Sequence, residues 1–362
     1  MNKIEFGDCR QTMRKWAAAG IKAQTCVTSP PYYGLRDYGT GKWIGGDENC
    51  SHKRDSKYSD KTITGHANKD LTVGDAIYKS VCPKCGAVRE DKQLGLEETP
   101  EDYIKSMVEV FRCVWDVLED DGTLWLNIGD SYYNYRPGKG QALVKQSVAN
   151  SNQDLPQTCA RRGNKLDGLK EKDLIGIPWM LAFALRADGW YLRQDIIWHK
   201  PNPMPESVQD RCTKSHEYIF LMSKSPKYYY DHDAIKEPLK GEPQTRDKNA
   251  EGYQADYAHG DRFSKGERVF GADGMANKRS VWSVPVKPYA GAHFAVFPTD
   301  LIEPCILAGA PAGGVVLDPF MGSGTTAQVA QDLGRKYLGC ELNLDYKPLQ
   351  NKRLAQQSLE LL

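Results

Sequence analysis

The chain has 362 residues, and its 48 lysines and arginines nearly balance its 47 aspartates and glutamates, for a formal net charge of +1. This length suffices for one large α/β domain with insertions or for two domains, and the balanced charge means that any surface binding a polyanion must be local. No apolar run reaches the ~20 residues of a membrane helix, and the first ten residues lack a signal-peptide pattern, so we expect a cytoplasmic protein.

Apolar periodicity and turn residues predict alternating strands and helices. In chain order they predict strand 3–6, helix 9–19, strand 23–27, helix 100–118, strand 123–128, helix 178–186, strand 192–198, strand 218–222, helix 300–307, strand 315–317, helix 325–333 and strand 337–340. Polar stretches interrupt this pattern at 39–94, 136–172 and 231–289, and lysines and arginines dominate the second of them. The alternation predicts an α/β fold with a mostly parallel sheet covered on both faces.

A glycine-rich loop follows a predicted buried strand near the end of the chain. Asp318 stands at the carboxyl end of that strand, where open α/β sheets bind ligands, and Gly322 and Gly324 let the backbone approach a ligand closely. Thr325 begins the next helix, and Glu341 ends the next strand, at the ~20-residue distance of a ribose-binding carboxylate. A tight turn without a ligand is the alternative. A dinucleotide site is disfavoured because the G-x-G-x-x-G spacing is absent.

A second loop, Thr28-Ser29-Pro30-Pro31-Tyr32, ends the second predicted strand. Two consecutive prolines fix φ and remove two backbone donors, so this stiff loop displays carbonyl oxygens. The Ser29 side chain and the Pro30 carbonyl can therefore accept hydrogen bonds from an amino group on a ring, and Tyr32 can stack on that ring. An ordinary turn or a proline-rich recognition segment is the alternative.

Taken together, Asp318-Pro319-Phe320-Met321-Gly322-Ser323-Gly324-Thr325-Thr326 and Thr28-Ser29-Pro30-Pro31-Tyr32 resemble two motifs of one family. These are the cofactor and catalytic motifs of S-adenosylmethionine-dependent DNA methyltransferases that modify exocyclic amino groups. The resemblance covers residues 1–38, 96–135, 174–235 and 290–345. Because the catalytic motif comes first, it implies the β arrangement of a Rossmann-like methyltransferase fold, with a circularly permuted motif order.

The resemblance also implies two sets of site residues. The catalytic set is Ser29, Pro30, Pro31 and Tyr32. The cofactor-binding set is Asp8, Thr28, Phe297, Asp318, Pro319, Phe320, Gly322, Gly324, Thr325 and Glu341. Phe320, Gly322 and Gly324 would surround the methionine part of the cofactor. Glu341 would bind the ribose hydroxyls and Asp8 would lie near the adenine, although Asp8 also fits a surface turn.

Four candidate zinc ligands lie in the first polar stretch. Cys50 and His52 form one pair, and Cys82 and Cys85 form a second pair within Cys-Pro-Lys-Cys-Gly, which is typical of a zinc knuckle. A region with so little apolar content needs a staple, and four protein ligands leave no open position for catalysis. We predict a structural zinc site, with a redox pair or unligated thiols as the alternatives.

The interpretation divides the chain into five parts. They are residues 1–41, the first part of the core with the catalytic loop; 42–95, the zinc-binding insertion; 96–235, core with the basic loop 136–172; 236–290, the target recognition region; and 291–362, the cofactor-binding part of the core. The recognition region would read base edges, with help from the basic loop and the insertion. Solvated loops without a DNA role are the alternative for each. Within the last part, the segment around Phe297 would close the methionine pocket or form a core helix entry.

The implied reaction is methyl transfer to the exocyclic amino group of a base flipped out of double-stranded DNA. In the resembled family, Thr-Ser-Pro-Pro-Tyr is commonly linked to N4 of cytosine and Asp-Pro-Pro-Tyr to N6 of adenine, so Ser29 slightly favours cytosine. Adenine is the alternative target. The other hypotheses are a DNA-binding regulator without turnover and methylation of RNA or protein by a related fold. The resemblance also allows a homodimer and a companion restriction enzyme.

Overall fold

The computed structural model describes residues 1–34, 40–50, 81–82, 84–133, 166, 168–241, 244–246, 268–270, 273–287 and 297–355. The helices are α1 (Cys9–Ala18), α2 (Pro100–Val117), α3 (Ile177–Ala187), α4 (Thr299–Gly309), α5 (Thr325–Asp332) and α6 (Lys347–Ala355). The strands are β1 (Lys3–Phe6), β2 (Ala23–Thr28), β3 (Lys42–Ile44), β4 (Val88–Glu90), β5 (Leu118–Ile128), β6 (Tyr191–His199), β7 (His216–Ser223), β8 (Glu237–Pro238), β9 (Gln244–Arg246), β10 (Arg268–Phe270), β11 (Met275–Ala276), β12 (Val281–Ser283), β13 (Val315–Asp318) and β14 (Lys336–Glu341).

Eight of these strands form a central sheet in the order β1-β14-β13-β2-β5-β7-β6-β12. The first five strands in this order are mutually parallel. β7 is antiparallel to both of its neighbours, and β12 is parallel to β6. Within this sheet only β7 therefore runs against the other strands. The predicted mostly parallel sheet is confirmed, and its strand order is that of a circularly permuted Rossmann-like fold, because the chain enters at β1 and reaches the central strand β13 near its end.

Helices cover both faces of the sheet. On one face α1, α2 and α3 bury side chains such as Met13, Phe111 and Leu181 against the strands. On the other face α4 and α5 bury side chains such as Ile306 and Ala327. Burial of each large apolar side chain contributes ~1.5–3 kcal/mol relative to exposure. Two apolar layers therefore stabilise the sheet, so the loops at its edges do not need apolar residues for stability and can carry polar ones.

The starts of the helices follow local chemistry. The Thr99 hydroxyl accepts a 3.1 Å hydrogen bond from the Asp102 backbone N–H, and Pro100 occupies the first turn of α2. Such a cap satisfies one of the otherwise unpaired donors at a helix start. Asp8 caps α1 in the same way by accepting from the Arg10 backbone N–H at 2.9 Å. Among the described residues, no helix is both long enough and apolar enough to cross a membrane.

The direction of the chain changes between β13 and β2. From β13 it continues through α5 to β14 on one side, whereas from β2 it continues through α2 to β5 on the other side. In open α/β sheets ligands bind at such a switch point, beyond the carboxyl ends of the strands. Thr28 and Asp318 are the last residues of these two strands. The fold therefore brings both loops singled out from the sequence to one crevice.

Three local features differ from the sequence expectation. β5 begins at Leu118, five residues before the predicted strand 123–128, and its pairing with β2 contains a bulge between Ala23–Leu118 and Thr25–Thr123. β12 lies within the stretch predicted as irregular, and it extends the central sheet beside β6. The sequence pattern also did not predict α6. Of the predicted recognition region and basic loop, residues 247–267 and 136–165 lie outside the described part of the chain.

Candidate functional site

A buried carboxylate joins the two loops at the switch point. The Thr28 hydroxyl, at the end of β2, donates a 2.6 Å hydrogen bond to Oδ1 of Asp318, at the end of β13. The same oxygen accepts from the Phe320 backbone N–H at 2.9 Å, and Oδ2 accepts from the Thr326 hydroxyl at 2.6 Å. Asp318 is 1 % exposed. Because these donors occupy both of its oxygens, Asp318 links the end of β2 to the glycine loop and the start of α5.

The burial of Asp318 makes stability depend on pH. Burial, opposed by the hydrogen bonds from Thr28 and Thr326, raises the pKa of Asp318 from 3.8 to about 6. Between these two pH values the folded state binds a proton that the unfolded state has lost. The contribution of this carboxyl to stability is therefore fully present below pH 3.8, and it is lost as pH rises through 6. The difference corresponds to ~3 kcal/mol. Glu341 contributes a slope of the same sign, because burial raises its pKa from 4.5 to about 7.

We expect Asp318→Asn to flatten this dependence. An amide can still accept from Thr28 and Phe320 and can donate to the Thr326 hydroxyl, but it does not ionise. The free energy of unfolding in urea, measured from pH 4 to pH 8, should therefore fall less in the variant, by ~3 kcal/mol over the window. Asp300→Asn is the control, because Asp300 is an exposed partner of Lys287. An unchanged slope in Asp318→Asn would contradict the assignment.

The glycine loop is held through its backbone. Oε2 of Glu341 accepts from the Gly322 N–H at 2.7 Å, and Oε1 accepts from the Asn343 N–H at 2.8 Å. The Gln350 side chain, buried in α6, donates to the Gly322 carbonyl at 2.7 Å. Gly324 starts α5 with a φ of +90°, and a Cβ there would lie 3.4 Å from Gln350. The loop is thus fixed from both sides before any ligand binds.

Two features of this loop suit a polar ligand lying against it. Gly322 has a φ of +53°, and among the described residues, its two chain neighbours aside, the atom nearest to a Cβ built there is the Phe320 carbonyl oxygen at 3.9 Å. Ser323 is 4 % exposed, and its hydroxyl has no hydrogen-bond partner among the described residues. Buried hydroxyls are normally paired. The open space over Gly322 and the unpaired Ser323 hydroxyl fit a bound cofactor.

The acidic residues predicted to bind the cofactor stand at neighbouring strand ends. The Gly7 N–H donates to the Glu341 carbonyl at 2.8 Å, which places Asp8 beside the end of β14. Asp8 also pairs with Arg10 at 2.9 Å. Burial acts to raise the pKa of Asp8, but the hydrogen bonds from Arg10 prevail and lower it. Asp8 is thus a charged helix cap beside the carboxyl end of β14.

The other predicted cofactor residues lie around the same loop. Pro319 is buried, and Phe320 is partly buried against the core of the first face. The Thr325 hydroxyl is hydrogen-bonded to Arg353, a buried arginine of α6. Phe297 precedes α4 and packs against the core of the second face. Pro319, Phe320 and Thr325 therefore lie together on the glycine loop. Phe297, by contrast, is described only by its contact with the core.

The predicted catalytic loop is anchored through Tyr32. Its hydroxyl donates to Oε2 of Glu217 at 2.7 Å and lies 3.3 Å from Oδ1 of Asn127. The Ser29 hydroxyl lies 3.4 Å from the Tyr32 hydroxyl oxygen, so that contact is weak. The tyrosine ring packs directly on Gly129, where an added Cβ would come within 2.7 Å of it. Tyr32 is therefore fixed in one orientation.

Hydrogen bonds also hold the far end of the catalytic loop. Tyr103, buried in α2, donates its hydroxyl to the Pro31 carbonyl at 2.9 Å. On the far side of the loop, the Gly34 N–H donates to the Gly95 carbonyl at 2.8 Å, which fastens the loop to the chain after the insertion. These two hydrogen bonds hold the loop at Pro31 and at Gly34.

Two residues behind Tyr32, Glu217 and Asn127, were missed from the sequence. Glu217 in β7 also accepts from Asn127 at 3.3 Å and forms an ion pair with Lys200. Asn127 is 4 % exposed and donates to the Tyr218 carbonyl at 3.1 Å. The sequence did contain a signal for them: each is a polar residue within an otherwise apolar strand, Asn127 in β5 and Glu217 in β7. Such interruptions mark buried polar networks, because unpaired polar groups are costly there.

The cysteine cluster lies in the insertion. The sulfur atoms of Cys50, Cys82 and Cys85 all lie within 4.8 Å of one another, and those of Cys50 and Cys82 are 3.9 Å apart. The Gly86 N–H donates to the Cys82 carbonyl at 2.9 Å, which closes the knuckle turn. The fourth predicted ligand, His52, lies outside the described residues. Three of the four predicted ligands are thus brought together.

Comparisons with known proteins agree with this geometry. Residues 23–352 match the N6/N4 methyltransferase family, described as DNA methylase. The chain is 40% identical over 358 residues to the Type II methyltransferase M.SmaI of Serratia marcescens, which covers 98% of this chain and 91% of that protein. It is 38% identical over 356 residues to the Type II methyltransferase M.Cfr9I of Citrobacter freundii, covering 98% of this chain and 88% of that protein.

Among solved structures, PvuII DNA methyltransferase (cytosine-N4-specific) aligns with a TM-score of 0.53 at 14% identity, covering 98% of this chain and 86% of that chain. At this identity the likeness concerns the fold alone. The family match over residues 23–352 and the 40% identity to M.SmaI over 98% of this chain also establish the family. The chain belongs to the N6/N4 family of DNA methylases.

Proposed function

We propose that this protein transfers a methyl group from S-adenosylmethionine to the exocyclic amino group of a base flipped out of duplex DNA at a specific site. The observation that carries the proposal is the hydrogen bond between Thr28 and Asp318. It joins an acceptor-displaying loop to a glycine loop at the switch point of the sheet, where open α/β folds bind ligands. The family membership and the Type II names of the relatives support the same reaction.

The cofactor would lie against the glycine loop. Phe320, Gly322 and Gly324 would surround its methionine part, with the Ser323 hydroxyl available as a further polar contact. Glu341 would accept from the ribose hydroxyls, since each of its oxygens now holds one backbone donor and a carboxylate oxygen has two lone pairs. When bound, the cofactor supplies an electrophilic methyl group.

The remaining predicted cofactor residues would act around this loop. Asp8 would lie at the adenine and Phe297 would close the methionine pocket. Thr28, Asp318, Pro319 and Thr325 would line the cofactor site. The side chains of Thr28, Asp318 and Thr325 already bond to the protein, so these residues would act mainly by shaping the loop against the cofactor.

The catalytic loop would prepare the amino group for attack. The Ser29 hydroxyl and the Pro30 carbonyl would accept its N–H bonds and turn the nitrogen lone pair toward the methyl group. Tyr32 would stack on the base, and Pro31 would keep the loop stiff. A serine is not a strong base, so the nitrogen would lose its proton after methyl transfer. A base inside a duplex cannot reach this loop, which is why flipping is required.

Cytosine N4 is the target that we favour over adenine N6, because the loop carries Ser29 where the adenine-linked motif carries aspartate. Sequencing DNA from an expressing host with modified-base detection tests the proposal and returns both the base and the site. We expect N4-methylcytosine at one short sequence. N6-methyladenine would favour the alternative target, and unmodified DNA together with DNA binding by the purified protein would favour a regulator.

The partner in this proposal is double-stranded DNA. A side-by-side assay of DNA, RNA and protein with labelled cofactor distinguishes the other acceptors. The Type II names of the relatives support a companion restriction enzyme that cuts the same site. A homodimer stays a prediction, and sedimentation of the purified protein with and without DNA measures it.

We also propose a structural zinc ion held by Cys50, Cys82, Cys85 and His52. Thiolates that bind one tetrahedral zinc at ~2.3 Å stand ~3.8 Å apart, and the sulfur atoms of Cys50 and Cys82 are 3.9 Å apart. With four protein ligands the metal would fasten the insertion and would have no open position for catalysis. Three converging thiols favour this reading over a redox pair, which needs two.

We expect purified protein to contain one zinc ion per chain, and Cys85→Ser to lower that content by more than about tenfold. Cys212→Ser is the matched control, because Cys212 is exposed and lies outside the cluster. Inductively coupled plasma mass spectrometry measures the zinc content of the wild-type protein and of both variants. Wild-type protein without zinc, when purified in the absence of chelators, would overturn the zinc assignment and leave the methyltransferase proposal untouched.

A further inference from the structure

Met204 is displayed to solvent in a way that packing does not explain. It is 85 % exposed, more than any other large apolar side chain in the described part of the chain. Isolated exposed apolar residues are ordinary on protein surfaces. Met204 differs because its loop is rigid and because of where that loop lies.

The loop that carries Met204 is braced at its base and on both sides. The Lys200 N–H donates to the Ser215 carbonyl at 2.8 Å, which closes the base. Asn202 exchanges two hydrogen bonds with the backbone of Val286, at 3.0 and 2.9 Å. Three prolines, at positions 201, 203 and 205, fix φ on either side of the methionine. The side chain is thus held out on a stiff support.

The far side of the loop is braced as well. Glu206 accepts from Arg211 at 2.6 Å and from the Lys214 N–H at 3.3 Å. The guanidinium of Arg211 lies 3.9 Å from the centre of the Tyr132 ring. The Lys214 side chain donates to the Asp130 carbonyl at 3.0 Å, just beyond the end of β5. The loop is therefore fastened to the same sheet edge as the catalytic loop.

The sheet order gives the position of Met204 relative to the reacting groups. β6 runs in the same direction as β2, so its loop leaves the sheet at the edge where the catalytic loop lies. The glycine loop, after β13, is on one side of β2, and the Met204 loop is on the other side. Lys200, at the base of the loop, pairs with Glu217, which anchors Tyr32. Met204 thus flanks the base site on the side away from the cofactor.

An apolar side chain at this place suits one task in particular. A flipped base leaves a gap in the DNA stack, and DNA-bending proteins show that an apolar side chain, methionine among others, can be inserted between base steps. Methionine is unbranched and adapts its shape to irregular spaces. We propose that Met204 enters the DNA stack beside the target base and fills the gap that flipping leaves. This inference rests on the proposed function, since it needs a flipped base.

The test compares Met204→Ala with wild type on two short duplexes that carry the site found by modified-base sequencing. One duplex pairs the target base normally, and the other places an abasic site opposite it, which makes flipping easier. We expect kcat/KM on the paired duplex to fall about tenfold and on the abasic duplex to stay near the wild-type value. Fluorescence of a base analogue at the target position should rise less in the variant complex.

Tyr191→Ala is the control, since Tyr191 is 44 % exposed and lies at the amino end of β6, which is the end opposite the Met204 loop. It should match wild type on both duplexes. An equal loss on both duplexes, or no loss on either, would overturn the wedge assignment of Met204. Failure of the wild-type protein to methylate either duplex would instead count against the proposed function.

Discussion

Tyr32→Ala is expected to lower kcat/KM for methyl transfer to DNA by about 100-fold, while the affinity for S-adenosylmethionine stays unchanged. Stacking on an aromatic ring contributes ~1–3 kcal/mol per base, and each ~1.4 kcal/mol is a factor of ten. Alanine also removes the hydrogen bond to Glu217 that fixes the loop. Single-turnover kinetics and cofactor titration separate the two effects.

Tyr32→Phe divides the contribution of the ring from that of the hydroxyl. It keeps the stacking surface and loses only the anchor, so we expect a loss of about tenfold. Burial raises the pKa of Tyr32 well above its ordinary value, and the nearby Glu217 raises it further. The hydroxyl therefore stays protonated and acts as a donor. Accordingly, the pH profile of kcat should have the same shape in wild type and in Tyr32→Phe.

Tyr33→Phe is the matched control for these variants. Tyr33 is the next residue, is 5 % exposed, and donates its hydroxyl to the Glu98 carbonyl away from the crevice. Removing that hydroxyl should reduce the unfolding free energy by ~1 kcal/mol without a specific loss of transfer. If Tyr32→Ala and Tyr33→Phe lost activity equally, the role of Tyr32 would be structural.

Strands and loops were predictable where apolar content carried the signal. β2 and β13 are short runs buried on both faces, so their ends, and with them Thr28 and Asp318, could be located from the sequence. The strand–helix alternation then implied a shared edge. The alternation could not predict the hydrogen bond between Thr28 and Asp318. That bond requires β2 and β13 to be neighbours, and the order of strands depends on the whole sheet.

The elements that were missed lack an apolar pattern. The buried residues of α6 are Gln350 and Arg353, which are polar, so no apolar face marks the helix. β12 has three residues and buries only Trp282, which is too little for a period to show. The contact of Tyr32 with Glu217 spans 185 positions and depends on the antiparallel insertion of β7. Each miss therefore involves polar burial, a strand too short to show a period, or long-range register.

Gly322→Ala is expected to weaken S-adenosylmethionine binding by about 100-fold. The glycine has a φ of +53°, and its missing side chain would project into space that no atom of the described residues occupies within 3.9 Å. A methyl group there would stand where the cofactor must approach the backbone. Isothermal titration of the purified variant measures the affinity, and its thermal unfolding reports the cost of the left-handed backbone, ~1–2 kcal/mol.

Gly313→Ala separates that backbone cost from the loss of cofactor. Gly313 has a φ of +75°, and a Cβ there would also meet nothing within 4 Å, but it precedes β13 at the opposite edge of the sheet. Both variants should unfold at similarly lowered temperatures, whereas only Gly322→Ala should lose affinity. Equal affinities in the two variants would mean that the cofactor does not lie over Gly322. Because both substitutions strain the backbone alike, a difference in binding would report the position of the methyl group alone.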